Sequence, residues 1–233
     1  MIKIKIADFV IQIDNKYDFI EKQCAQYLTD EENVDLFVSC TSEEMEKEKA
    51  SSPYPFPDGY IESLCVYRSI CLEIVKSDAI LVHSAVIEVD GNAYAFLARS
   101  GTGKSTHIAL WRKALGEKVH IINGDKPIFR YINGDLFAYG TPWCGKEGWH
   151  KNTSAKLKAI CFLERGEENS IEPISPSDSS GRMLRQILMP SEPQGAIKTL
   201  ELVDRMLKDV PLWLLKCNIS EESAILAYNT MSK

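Results

Sequence analysis

The sequence predicts an α/β protein built on a mixed β-sheet, and three observations carry that reading. An apolar strand, Ala93 to Ala98, runs into a glycine-bearing loop and then into a helix with Ile108, Trp111 and Leu115 on one face. Ahead of it, Ile80 to Val89 is strand-like, and Asp90-Gly91 between the two runs is a hairpin turn signal. Strand and helix signals then alternate to the end of the chain. Residues 1–78 follow a different pattern and read as a small α+β region ahead of a larger unit, 79–233.

In chain order, residues 2–6 and 9–13 read as two strands with a tight connection, Tyr17 to Leu28 as a short helix, and Val34 to Cys40 as a strand. Thr41-Ser42-Glu43-Glu44 is a capping box, in which hydroxyl and carboxylate satisfy reciprocal backbone donors, so the charged run Glu43 to Lys49 reads as a solvated helix face. Ser51 to Pro57 holds three prolines and marks a break, because proline blocks helix and ladder alike. Ile61, Leu64, Cys65, Tyr67, Ile70, Cys71 and Ile74 then recur at helical spacing. Beyond the glycine loop, Val119 to Ile122 is a short strand, Pro127 to Ile132 and Leu136 to Tyr139 form a hairpin around Asn133-Gly134, and Lys156 to Glu164 is a strand. Ser175-Pro176 supplies an N-cap and an N1 proline, and Ser191-Glu192-Pro193-Gln194 a second capping box with Ser191 as N-cap, ahead of Ile197, Leu200 and Leu207. Pro211 to Lys216 is a last strand and Ser220 to Met231 a last helix.

The composition bounds the function. Of 233 residues, 45% are hydrophobic and 26% charged, the balance of a globular chain, which excludes a disordered or fibrous one. A net charge of -6 argues against nucleic acid or anionic lipid as a general partner. No apolar run approaches the length of a membrane span, and the opening Met1-Ile2-Lys3-Ile4-Lys5-Ile6 lacks a signal peptide's apolar core. The seven cysteines are odd in number, scattered and without a CxxC pair, which predicts reduced thiols in a cytoplasmic protein and no zinc site.

The informative segment is Ala98-Arg99-Ser100-Gly101-Thr102-Gly103-Lys104-Ser105-Thr106. It fits the phosphate-loop pattern G-x-x-x-x-G-K-[ST] at every position but the first, where Ala98 replaces glycine. Such a loop turns its backbone N–H groups inward around phosphate oxygens, which needs Gly101 and Gly103 for close approach and positive φ. Lys104 supplies an ammonium for the β- and γ-phosphates, Ser105 a hydroxyl for Mg²⁺, and the following helix its N-terminal dipole. The cofactor-binding set is therefore Ser100, Gly101, Thr102, Gly103, Lys104, Ser105 and Thr106, and the expected ligands are ATP and Mg²⁺.

His83-Ser84-Ala85, the hairpin, the glycine loop and Asn123-Gly124-Asp125 together resemble the catalytic domain of HPr kinase/phosphorylase, whose core the ATP-dependent phosphoenolpyruvate carboxykinases share. The likeness extends to HPr-kinase-like proteins through Gly140-Thr141-Pro142-Trp143 and Leu163-Glu164-Arg165-Gly166; some relatives of that kind are kinases in peptide-modification gene clusters. It covers roughly residues 79–217 and leaves 1–78 unmatched. The resemblance implies a mixed-sheet P-loop domain of the HPr kinase / phosphoenolpyruvate carboxykinase type. It also implies that His83 faces the γ-phosphate and the attacking hydroxyl, and that Asp125 binds Mg²⁺ with Ser105. His83, Lys104 and Asp125 are thus the expected catalytic residues, and Ser105 and Asp125 the metal ligands.

One departure matters. Gly124 stands where the HPr kinases carry the aspartate that takes the acceptor's proton, so Asp125 or His83 would have to substitute. In a two-residue hairpin at Asp90-Gly91, His83 and Ala98 face each other, which places the imidazole near the mouth of the loop. The glycine-rich run Gly140 to Lys151 suits a substrate-facing flap with Trp143 and Lys146 as candidates, a packed structural loop being nearly as good a reading. Cys144 lacks a His–Cys arrangement. Arg182 and Arg185 share a helix face at i, i+3 and reach either solvent or an anionic group.

The expected function is transfer of the γ-phosphoryl group of ATP to a hydroxyl, on a serine of a peptide or protein or on a small molecule. Two alternatives stay open: a catalytically silent nucleotide-binding regulator, prompted by Gly124, and carboxykinase-like chemistry. Oligomers occur in the HPr kinases, and no residue here sets a number.

Overall fold

The computed structural model describes residues 1–51 and 54–233. Ser52 and Pro53, inside the predicted break, lie outside the described residues. Residues 1–74 form a small sheet backed by helices. β1 (Ile2–Ile6) and β2 (Phe9–Asp14) pair antiparallel across Ala7-Asp8, both at positive φ, and β3 (Leu36–Ser39) joins β2 in parallel. α1 (Asp18–Gln23), α2 (Ser42–Ser51) and α3 (Asp58–Ile74) accompany it. The predicted helix from Tyr17 to Leu28 is shorter than expected, ending at Gln23 before a single 3₁₀ turn. The capping box forms as read: Thr41 Oγ1 accepts from the Glu44 amide at 3.2 Å, and Glu44 accepts from the Thr41 amide at 2.7 Å.

The second sheet runs β4 (Ala79–Leu81), β5 (Ala85–Val89), β6 (Asn92–Leu97), β7 (Val119–Asn123), β8 (Ile128–Ile132), β9 (Asp135–Tyr139), β10 (Ser154–Arg165), β11 (Ser170–Pro173) and β12 (Leu212–Cys217) in sequence. In space the order is β4-β8-β9-β10-β6-β5-β7, with β12 on β10 and β11 on β12. The sheet is mixed: β6 pairs antiparallel with β5 but parallel with β10, and β10 pairs parallel with β12. Its helices are α4 (Lys104–Leu115), α5 (Pro176–Leu184), α6 (Pro193–Asp209) and α7 (Glu221–Met231).

Both faces of β6 are covered, which is why its sequence is apolar throughout. Ala93, Ala95 and Leu97 pack on one side with Leu202 and Met206 of α6, while Tyr94, Phe96 and Ala98 pack on the other with Ile108 and Trp111 of α4 and Ala224 of α7. The core of residues 1–74 is continuous with Leu81, Ile128, Tyr139 and Trp143 of the larger part. Polar contacts follow the same seam: Tyr139 donates to Asp8 at 2.7 Å, Arg130 donates to the Ala7 carbonyl, and Tyr27 Oη meets His150 Nδ1 at 3.1 Å.

Two readings need correction, and one strand had none. The continuous strand expected over Ile80–Val89 is two strands, because β4 pairs with β8 while β5 pairs with β6 and β7. The switch falls at Val82–Ser84, whose amides bond to the carbonyls of Pro127, Gln186 and Asp125 instead of to a ladder neighbour. The N-cap of α6 is Glu192, not Ser191; its carboxylate accepts from the Gln194 and Gly195 amides. The edge strand β11 carried no recognisable pattern. Among the described residues no helix is long and apolar enough to cross a membrane. All seven cysteines are free thiols, six of them buried.

Candidate active site

The hairpin β5–β6 closes through Asp90 (φ 51°) and Gly91 (φ 79°), a turn whose twist matches the strands, and so delivers β6 directly into the glycine loop. Gly101 and Gly103 sit at φ +77° and +126°, and a Cβ at either would meet nothing within 4 Å. Their requirement for glycine is thus conformational, and the space in front of them is open. Arg165, at the end of β10, donates to the Gly101 carbonyl at 2.6 Å and to the Thr102 carbonyl at 3.3 Å. Within the loop the Thr102 amide donates to the Arg99 carbonyl at 3.1 Å. α4 starts on Gly103 with no side chain capping it, so its first-turn N–H groups lack intrahelical acceptors. Ser100, Gly101 and Thr106 are exposed, Thr102, Gly103 and Ser105 half-buried.

Lys104 is the buried member of the loop, only 7% exposed. Its ammonium donates to the Ala98 carbonyl at 3.0 Å and lies 3.2 Å from His83 Nε2. Burial lowers its pKa, against the opposing charge of Asp125. His83 Nε2 in turn lies 3.0 Å from Asp125 Oδ1. The structure therefore brings together His83, Lys104 and Asp125 at the mouth of the loop. The route differs from the predicted one: the His83 backbone does not pair with Ala98 but donates to the Gln186 carbonyl at 2.7 Å.

Asp125 is placed by its own turn. Asn123 Oδ1 accepts from the Asp125 amide at 2.8 Å and the Lys126 amide at 2.7 Å, and the Asp125 carbonyl accepts from the Ser84 amide at 2.9 Å. Burial pushes the Asp125 carboxyl up, but the His83 hydrogen bond and the charges of His83, Lys126 and Lys104 outweigh it and hold the group below the usual carboxylate range. It is an anion at neutral pH.

Of the run Gly140 to Lys151, residues 140–144 are buried and packed, while 145–151 are exposed or half-buried. Trp143 is 4% exposed; its indole donates to Ser63 Oγ at 3.0 Å and its ring tilts against Tyr67 of α3 at 5.4 Å. Lys146 is exposed. The loop sits on Gly124, whose amide donates to the Trp149 carbonyl at 2.8 Å; a Cβ there would stand 3.1 Å from the Cys144 carbonyl oxygen. The missing aspartate thus coincides with a position that the loop has filled. Cys144 is buried, and burial pushes its thiol pKa up, which is contrary to a nucleophile's need.

Three contributors were not singled out from sequence. Gln186, buried just after α5, orients its side-chain amide by its surroundings: with the nitrogen inward it donates toward His83 Nδ1 at 3.1 Å and toward the Ala98 and His83 carbonyls at 3.2 and 3.3 Å. A lone glutamine in an irregular stretch carries no sequence signal. Arg165 and Asn123 stood inside quoted runs, where only the strand-end position hinted at a loop contact.

No curated protein matches the chain. Among solved structures, the Hpr(Ser) kinase/phosphatase from Coxiella burnetii is similar to it at 12% sequence identity and a TM-score of 0.36, over 64% of this chain and 88% of that one. Residues 61–222, which hold the glycine loop, His83, Asp125 and Gln186, match the family model described as SynChlorMet cassette protein ScmC, and the chain belongs to that family.

Proposed function

We infer that the chain is an ATP- and Mg²⁺-dependent kinase that passes a γ-phosphoryl group to a hydroxyl acceptor. The observation that carries this reading is the convergence of the buried Lys104 ammonium, the His83 imidazole and the Asp125 carboxylate beside a glycine loop that leads into the uncapped start of α4. Phosphoryl transfer asks mainly for positioning and charge neutralisation, which this set supplies. Lys104 would leave the Ala98 carbonyl for the β- and γ-phosphates. Asp125 and Ser105 offer oxygen donors only, which suits Mg²⁺, and among the described residues no group of three His, Cys, Asp or Glu forms a self-sufficient metal site. When bound, the ion would neutralise phosphate charge. The acceptor oxygen forms the new O–P bond as the bond to the bridging oxygen breaks, whose electron pair leaves with the nucleoside diphosphate. The hydroxyl proton passes to Asp125, which the His83 N–H steadies.

The nucleoside end fits a cavity of about 460 Å³ beside the loop, lined by Thr106, His107, Leu110, Leu163 and Ile219. Ile219 is 81% exposed there, an apolar side chain that a base would cover. His107 Nε2 accepts from the Trp111 indole at 2.9 Å, so its proton is on Nδ1, which is buried without a partner among the described residues and would suit a ribose or base acceptor.

Two variants test the reading. Lys104→Ala should weaken Mg·ATP binding at least tenfold by calorimetry, about 1.4 kcal/mol; unchanged affinity overturns it. Asp125→Asn should cut turnover far more than affinity, because its interaction is needed where charge develops. A silent regulator, favoured by the loop-filled Gly124, would instead show no turnover in the parent with any phosphoryl donor.

A further inference from the structure

On the near side of the glycine loop lies a second cavity, about 890 Å³, bounded by residues 97–102, the end of β10 and α5. Its charged lining is Arg99, Arg165, Arg182 and Arg185 against Glu164 and Asp178, an excess of two positive charges in a chain whose net charge is -6. The distribution of partners within it is uneven. Arg182 Nη1 meets Glu164 Oε1 at 2.6 Å, Asp178 is taken up by Ser175 Oγ at 2.6 Å in capping α5, and Arg165 holds the loop carbonyls while keeping its charge. Arg99 and Arg185 are exposed and form no ion pair among the described residues, so their guanidiniums are the cavity's unspent cations.

The cavity adjoins two partners of the reacting groups. Ala98, whose carbonyl takes the Lys104 ammonium, and Gln186, whose amide meets His83, both line it. The cavity at Thr106 and Ile219 shares Gly101, Thr102 and Arg165 with it but is lined by neither Ala98 nor Gln186. Of the two, the arginine cavity is therefore the one next to the partners of Lys104 and His83.

We propose that this cavity receives the phosphoryl acceptor and that the acceptor carries a carboxylate near its hydroxyl, held by Arg99 and Arg185. The proposal rests on the kinase reading above. A guanidinium's planar fork matches a carboxylate in two parallel hydrogen bonds. A carboxylate brings one negative charge, where a phosphate monoester brings nearly two, so it binds without a second dianion beside the transferring group. An acidic serine segment and a small hydroxy acid share this chemistry.

The test is binding, read separately from turnover. Protein saturated with Mg·ADP is titrated by calorimetry with a serine peptide flanked by glutamates, with the same peptide carrying glutamines, and with citrate. The glutamate peptide or citrate should bind at least tenfold more tightly than the glutamine peptide. Arg99→Gln and Arg185→Gln should each remove that preference while leaving ADP affinity unchanged. Preference for the peptide over citrate assigns a peptide acceptor; the reverse assigns a small acid. Equal binding of all three probes, a preference that survives both substitutions, or a tenfold loss of ADP affinity in the arginine variants overturns the proposal. Failure of ADP itself to bind the parent protein would instead strike the kinase reading, and the two failures are told apart in the first titration.

Discussion

His83 Nε2 lies 3.0 Å from Asp125 Oδ1, and with the Gln186 amide nitrogen turned inward the other ring nitrogen of His83 accepts from it at 3.1 Å. The same inward nitrogen faces the His83 carbonyl at 3.3 Å and, at 3.2 Å, the Ala98 carbonyl that also accepts from Lys104. In that orientation Nδ1 is an acceptor and the ring proton sits on Nε2, facing Asp125. The Lys104 ammonium, 3.2 Å from Nε2, therefore keeps its hydrogen bond to the Ala98 carbonyl and makes none to the ring. The imidazole therefore holds the carboxylate in place.

His83→Ala should lower phosphotransfer about a hundredfold, within the range of a positioned acid–base group, with the melting temperature little changed. Gln186→Leu keeps the imidazole but removes the hydrogen bond that sets its tautomer. Nitrogen NMR of histidine-labelled protein should show the Nε2–H form in the parent and a mixture in the glutamine variant. An early-melting His83→Ala protein with full activity would reduce His83 to packing.

Restoring the carboxylate that the HPr-kinase pattern carries should not restore a base. A side chain at 124 meets the Cys144 carbonyl at 3.1 Å and the Trp149 carbonyl at 3.4 Å, both backbone atoms of a loop tied down elsewhere. Gly124→Asp is expected to cost roughly 1–3 kcal/mol through overpacking, measured by denaturant melts, with no gain in turnover. Faster turnover at unchanged stability would mean that the loop yields and that position 124 is open to chemistry.

His107 sets an acid limit on stability. It is 3% exposed, and burial lowers its pKa to about 4, against a reference near 6.5 for the unfolded chain. Below pH about 6.5 the unfolded state takes up a proton that the folded state refuses, so stability falls with pH until about 4, by on the order of 3 kcal/mol. His107→Gln keeps an acceptor for the Trp111 indole and has nothing to titrate. Melting temperatures measured from neutral to pH 4 should fall more steeply for the parent than for the variant; parallel curves would refute this.

The Walker-type spacing, the Asp90-Gly91 hairpin and the two-faced apolar strand β6 were readable from sequence because each is set by neighbours a few residues away. Positive φ at Gly101 and Gly103, the capping box at Thr41 and the alternation of Ala93, Ala95 and Leu97 with Tyr94 and Phe96 are local demands. Residue types at fixed spacing record them. The resemblance also pointed to His83 and Asp125, although the hairpin argument for His83 was geometrically too simple: pairing with β6 stops at Ala85, and Val82 to Ser84 are held by Pro127, Gln186 and Asp125.

The rest was decided in three dimensions. Trp143 is buried because α3 lies across it, a fact about helix packing that no property of the run Gly140 to Lys151 contains. Gln186 touches His83, Arg165 braces the glycine loop, and Arg99 and Arg185 come to share one cavity only because β6, β10 and the segment after β11 end on the same side of the sheet. Sequence by itself determined the loop, the strand that feeds it and the helix that follows, since backbone conformation and apolar periodicity are local in origin. Tertiary structure alone decided which distant side chains surround that loop, because long-range contacts depend on strand order and helix placement, and a single sequence does not encode them as a spacing.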